Sequence, residues 1–367
     1  MRLPAFEDLS KEQDLVYSLD FDGNYLVSGP PGTGKSVMAL YRAQVLTFDD
    51  REPALLMYNN VLQQYTAQAA DSLNLAGFVS TFHRWIWGFW NENFGRRPPT
   101  LEDGISYVHD WTEMTSQFFA SPPKSDALSD LLVDEGQDLS LGFYRLARFF
   151  CKNITVFADE NQQLSDQNTT LKEIAQAIKA DGWLELKQNH RNTAEIAAVA
   201  AKFYAGAPTG IPDLPSRRGE KPTLRRYSSD IELADFVSRY VKARTNLAIG
   251  IACENKRTQY RLLDLLQKRR LPIPVQMYAS GDKRHKHLDF DVPAITIANF
   301  RSFKGLEFDT LFIPELQQHF SDPTSASTRM MFYVLISRAR NELHLSYSGD
   351  GGIPPILSTL KGMVREL

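Results

Sequence analysis

Residues Gly29–Ser36 read GPPGTGKS and complete the pattern GxxxxGK[ST]. The run before them, GNYLV, has the composition of a buried strand, and the run after them, VMALYRAQVL, that of a helix. A glycine-rich turn between strand and helix turns backbone N–H groups and the helix N-terminus toward phosphate oxygens. Gly29, Pro30, Pro31, Gly32, Thr33, Gly34, Lys35 and Ser36 are therefore expected to form a nucleotide-binding loop. Lys35 would reach the β and γ phosphates, and the Ser36 hydroxyl would bind Mg²⁺. Such a loop serves many kinds of phosphate chemistry, so the rest of the chain must specify which.

Apolar strand-like runs alternate with helical patterns almost throughout. YLVSG, ALLMYN, GFVSTF, LLVDE and ITVFAD occupy the first half; WLELKQN, TLRRY, LAIGIAC, AITIANF, TLFIPEL and ELHLSYS occupy the second. Helices are expected at Val61–Leu73, Leu171–Lys179, Ile231–Ala243, Thr258–Arg270 and Arg329–Arg340. This alternation predicts an α/β fold with parallel sheets covered on both faces. With 367 residues, two domains are expected, 1–180 and 181–367, with the break near Ala180–Gly182.

A net charge of −3 supplies no global attraction to nucleic acid, so any such contact needs a local groove. Cys151 and Cys253 lack metal-ligand spacing and read as buried thiols of a reducing, cytoplasmic protein. The N-terminus, MRLPAFEDLSKEQ, is too charged for a signal peptide, and no apolar run reaches membrane-span length.

Two further strands end in carboxylates. In LLVDEGQD, Asp134 is suited to hold Mg²⁺ through water and Glu135 to polarise an attacking water; the alternative is a plain helix cap. In VFADENQQL, Asp159 is followed by Gln162. An amide there can distinguish ATP from ADP through a hydrogen bond that forms or breaks on hydrolysis.

The ordered series of these motifs resembles the superfamily 1 helicases of the UvrD/Rep/PcrA type, from Gln13 to Leu343. LSKEQDLV resembles the adenine-reading Q motif, with Gln13 as ligand. ALLMYNNVLQQY and VSTFHRW resemble DNA-contacting motifs, which implicates Tyr58, Asn59, Phe82 and His83. LKQNHRNTAEI resembles the element that carries an arginine finger, here Arg191, with His190 where the family stacks a tyrosine on the base. ITIANFRSFKGLEFDTLFI resembles the KGLEF element, implying Gly305 near the phosphates, Glu307 near the ribose and Arg301 as a phosphate contact. FYVLISRARNEL resembles the last motif, with Arg338 as the second finger. The resemblance implies two RecA-like P-loop domains with ATP in the cleft between them. Lys35, Asp134, Glu135, Gln162, Arg191 and Arg338 would be its catalytic set, and ATP with Mg²⁺ its cofactors.

Against that family the chain is short of accessory domains. A small helical insertion is expected at about 84–130, and a short basic loop, containing GDKRHKH, at about 272–293. HRWIWGFW reads as core packing, with a base-stacking platform or a partner surface as alternatives. Trp85, Ile86 and Phe89 fall on one helical face, Trp87 and Trp90 on another. The clusters QKRR and DKRHKH read as solvated faces or as contacts to nucleic-acid phosphate. After the Gln162 element, Leu164, Ser165 and Gln167 stand where strand-tracking rings are expected.

The expected function is ATP-dependent translocation on single-stranded DNA. The alternative is a DNA-regulated ATPase switch or sensor working with a partner such as a nuclease in repair or antiviral defence. RNA is the less favoured strand.

Overall fold

In the computed structural model, residues 3–101, 108–123, 128–162, 169–206, 208–317, 322, 324–349 and 352–367 are described. They form two compact units. One comprises residues 3–30 and 34–187; the other comprises Gln188–Leu367 together with Pro31–Thr33.

The first unit runs α1 (Lys11–Tyr17), β1 (Asn24–Ser28), α2 (Lys35–Phe48), β2 (Ala54–Met57), α3 (Asn60–Asp71), β3 (Val79–Thr81), α4 (Phe82–Phe94) and α5 (Trp111–Ala120). It continues with β4 (Leu128–Val133), α6 (Leu141–Phe150), β5 (Cys151–Ala158), α7 (Leu171–Ile178) and β6 (Gly182–Glu185). The six strands lie in the order β3-β2-β4-β5-β1-β6, and every pair is parallel. All five residues of β1 are buried, as a strand covered on both faces requires. Each fully buried Leu or Val there contributes about 1.5–3 kcal/mol.

The second unit runs α8 (Ala194–Ala201), β7 (Thr223–Tyr227), α9 (Asp230–Lys242), β8 (Ile249–Cys253), α10 (Lys256–Gln267), β9 (Val275–Met277) and β10 (Ile295–Asn299). β11 (Phe308–Ile313), α11 (Ala326–Ile336), β12 (Ala339–Ser348) and β13 (Arg365–Glu366) complete it. Its seven-stranded sheet has the order β13-β7-β12-β11-β8-β10-β9, again with parallel pairs throughout. Among the described residues no helix is long and apolar enough to cross a membrane. Cys151 and Cys253 are both buried free thiols.

Three expectations need correction. The break near Ala180–Gly182 comes too early, because Gly182–Glu185 pair with Tyr25–Ser28 of β1. The left-handed Lys179 ends α7, so the turn signal marks a helix end and not a domain end. The helix expected at Arg329–Arg340 stops at Ile336, and β12 begins at Ala339. The segment 272–293 is not all loop, since β9 within it pairs with β10.

The tryptophan-rich helix packs as core. Ile86 and Trp90 are fully buried, and Trp85 and Phe89 stack with ring centroids 5.2 Å apart against the same cluster. Trp90 thus belongs with the inward face, where its indole donates to Gln117 Oε1 at 3.3 Å. Trp87 is 48% exposed. The basic clusters are tied into surface ion pairs: Lys268 with Asp264, Arg269 with Asp235, and Arg284 with Asp282.

Candidate functional site

In the first unit β4, β5 and β1 are adjacent, so their C-terminal ends deliver Asp134, Asp159 and the glycine-rich loop to one edge of the sheet. Ligands of open parallel sheets bind at that edge. Gly34 caps α2 with φ 93°, a left-handed conformation, and a Cβ there would lie 2.5 Å from Gln13 Nε2. Glycine is needed on both counts. Gln13 is buried against the loop, and its Oε1 accepts the Ser10 N–H at 3.1 Å in a capping box.

The Lys35 ammonium donates to the Gly29 carbonyl at 2.5 Å and the Pro30 carbonyl at 3.2 Å. It stands 3.7 Å from Asp159 Oδ2, with both side chains buried. Asp134 is 1% exposed. Its Oδ1 accepts the Glu135 N–H at 3.0 Å, while its buried Oδ2 has no hydrogen-bond partner. Burial, and then the neighbouring Glu135, push its carboxyl up; the Ser36 hydroxyl and Lys35 pull the other way. A buried carboxylate oxygen without a donor, beside a serine hydroxyl, fits a hard divalent cation such as Mg²⁺.

Glu135 adopts φ 54°, a left-handed conformation that a non-glycine residue keeps only when its surroundings hold it. The Gln137 carboxamide supplies that hold. It donates to Glu135 Oε2 at 2.6 Å and accepts the Asp159 N–H at 2.9 Å. Gln162 closes the turn Glu160–Gln162; its side chain, and the positions Leu164, Ser165 and Gln167, lie outside the described residues.

Of the residues expected to contact DNA, Phe82 is 4% exposed. It packs edge-on to Phe143 at 5.0 Å and close to Trp111. It is a core residue and offers no ring face to a base, because the cluster that includes Phe143 and Trp111 encloses it. Tyr58 and His83 are half-buried neighbours with ring centroids 6.0 Å apart, and burial lowers the His83 imidazole. Asn59 spends its side-chain oxygen on capping α3. Arg301 is exposed, on the turn Phe300–Phe303.

In the second unit, Asn189 Oδ1 accepts the N–H groups of Arg191 and Asn192 at 3.0 and 3.1 Å. His190 is exposed, and its N–H donates to the Gly32 carbonyl at 2.9 Å. Arg191 Nε donates to Glu307 Oε2 at 3.0 Å, and Arg340 Nη1 to Glu307 Oε1 at 2.9 Å. Burial alone would raise the Glu307 carboxyl, but the two guanidinium groups outweigh it and bring it down to about 2. Both Glu307 oxygens are thus engaged by arginines. Gly305 is buried with φ 81°. Arg338 is 1% exposed, and its Nε donates to the Val334 carbonyl at 3.2 Å.

Sequence reasoning missed Asn192 and Arg340. The Asn192 amide donates to the carbonyls of Ser337 at 3.0 Å and Ala339 at 2.6 Å, which flank Arg338. One side chain therefore ties the Arg191 turn to the Arg338 turn. The asparagines at 189 and 192, immediately before the Thr193 cap of α8, were the available signal, since Asn side chains bond the backbone in turns.

Residues 18–168 match the family model described as an AAA domain. The chain is 24% identical over 254 residues to a protein of Acanthamoeba polyphaga mimivirus provisionally named ATP-dependent DNA helicase R568, covering 64% of this chain and 36% of that protein. It thus spans about a third of the length of the curated relative it matches. Dbp5 of S. cerevisiae, solved bound to RNA and ADP BeF3, superposes with a TM-score of 0.53 at 13% identity, covering 98% of this chain and 90% of that one. That likeness concerns the fold, and the two parallel sheets flanked by helices are two RecA-like domains.

Proposed function

We propose that this chain, a superfamily 1 helicase-type protein, hydrolyses ATP and couples the reaction to movement on single-stranded DNA. The observation that carries the reading is the convergence of Lys35, Asp134, Glu135 and Asp159 at one sheet edge, with Gln137 joining Glu135 to Asp159.

Gln13 and His190 would contact the base, and residues 29–36 would cradle the phosphates. Ser36 and Asp134 would hold Mg²⁺, which when bound neutralises phosphate charge. Glu135 would orient and deprotonate the attacking water. Gln162, Arg191 and Arg338 would respond to the γ-phosphate. Arginines so placed contribute roughly 10³–10⁵ in rate. In this reading ATP draws the two domains together and hydrolysis releases them, so chemistry becomes motion. Tyr58, His83 and Arg301 would contact the strand. The mimivirus relative, named as a DNA helicase, supports DNA over RNA.

A second reading, a DNA-regulated ATPase switch working with a partner such as a nuclease, is favoured by one observation. With Phe82 in the core, one of the aromatic side chains expected to contact DNA is out of reach, and base stacking contributes about 1–3 kcal/mol per base.

The test is ATP turnover at low salt with and without length-matched single strands of DNA and RNA, with Glu135→Gln as the inactive control. DNA-stimulated turnover supports the proposal. Equal turnover with and without DNA sinks the motor. Stimulation without strand displacement or translocation favours the switch.

A further inference from the structure

The Arg191 side chain is held by one edge only. Its Nε is paired with Glu307, while its Nη1 is buried without a hydrogen-bond partner. Glu307 in turn is gripped on its other oxygen by Arg340. All three side chains are mostly buried, at 15%, 14% and 18% exposure. Charge-assisted bonds in such a setting are stronger than neutral ones. The backbones are fastened as well: the Arg217 guanidinium donates to the carbonyls of both Arg191 and Arg340.

We propose that Glu307 and Arg340 are positioning residues for Arg191. Arg340 fixes the Glu307 carboxylate, and Glu307 fixes the plane of the Arg191 guanidinium through Nε, leaving the Nη end for an anionic acceptor. The inference rests on the reading of Arg191 as a γ-phosphate contact. It gives Glu307 a task beside the ribose contact that the resemblance implies.

The geometry has a specific consequence. A carboxylate held by two cations from opposite oxygens has one orientation. Held by one, it can rotate and carry the guanidinium with it. Misplacing a reacting group by about 1 Å can cost on the order of 10²-fold. Arg340 should therefore matter to turnover without touching nucleotide, and only while Arg191 is present.

The experiment compares the full chain with Arg340→Gln, Arg340→Lys, Glu307→Gln, Arg191→Gln and the double variant Arg191→Gln/Arg340→Gln. Its readouts are kcat and KM for Mg-ATP with a saturating oligodeoxythymidylate, fluorescent-ATP affinity, and melting temperature. Arg340→Gln is expected to lower kcat about 10- to 100-fold with nucleotide affinity changed less than about threefold. Arg340→Lys should recover part of the loss. In the Arg191→Gln background, Arg340→Gln should cost nothing further, because residues acting through one another are not additive.

Losses that multiply in the double variant, or unchanged kcat in Arg340→Gln, overturn the proposal and leave the ATPase reading standing. If Arg191→Gln itself turns over at the parental rate, the reading of Arg191 falls and this inference with it. Should Arg340→Gln fail to fold, Arg340→Lys and Glu307→Gln decide the matter by the same split between kcat and affinity.

Discussion

Gln137 donates to Glu135 at 2.6 Å from a side chain with no exposed surface. The same carboxamide accepts the Asp159 N–H, so one amide joins the ends of two adjacent strands. It also restrains Glu135, whose backbone is left-handed.

Replacing Gln137 with Leu keeps most of its volume and removes both bonds. Turnover is expected to fall about 10- to 100-fold while nucleotide affinity changes little. The unsatisfied Asp159 N–H should also cost about 1–3 kcal/mol of stability. Phosphate release and fluorescent-nucleotide titration check the first outcome, and urea unfolding the second.

Gly136 lies between those residues, and here the constraint is space. A Cβ would stand 2.3 Å from Val156 Cγ1 and 2.8 Å from the Tyr144 hydroxyl, which donates to the Gly136 carbonyl at 2.6 Å. Gly136→Ala is expected to destabilise the chain by about 1–3 kcal/mol through overpacking. The urea midpoint should drop at unchanged slope.

His109 is 8% exposed, beside Phe82, His83 and Trp111. Burial, and then His83, push its imidazole down to about 4 against an opposing pull from the Pro99 backbone. Above the ordinary histidine range near pH 6.5 the ring is neutral folded or unfolded, and it adds no pH dependence. As pH falls from about 6.5 toward 4, the unfolded chain takes up the proton first and stability is lost. The urea midpoint of His109→Phe should fall less between pH 7.5 and 5 than that of the parent. An equal fall would show that the ring titrates normally in the folded chain.

Arg301 is an exposed side chain on a short turn, so its replacement should leave folding intact. If it meets a phosphate, Arg301→Ala should weaken binding to single strands of every sequence. The slope of log affinity against log salt should shrink by about 0.7, the share of a single neutralised phosphate. An unchanged slope would remove Arg301 from the interface.

Most of the fold was legible because the strands are parallel and the central ones buried, which makes those strands short apolar runs, most of them joined by helices; the short β9 and the exposed β13 carry no such run. The glycine loop and the acidic strand ends were legible because their chemistry needs fixed residue types at fixed spacing. What sequence could not show was direction. Phe82 and Trp90 are aromatic in a helix that could turn either way, and only packing decides which rings are sealed. Arg340 was hidden for another reason. It sits two residues beyond Arg338, and nothing local distinguishes a guanidinium that meets a ligand from one that steadies a carboxylate across the sheet.

The position of β1 between β5 and β6 sets a schedule. Its partners begin at Ile154 and Gly182, more than a hundred residues later in the chain. During synthesis the glycine loop emerges early but has no sheet to anchor it until those segments arrive. On the proposed reading, nucleotide capture would therefore wait for the strands that flank β1.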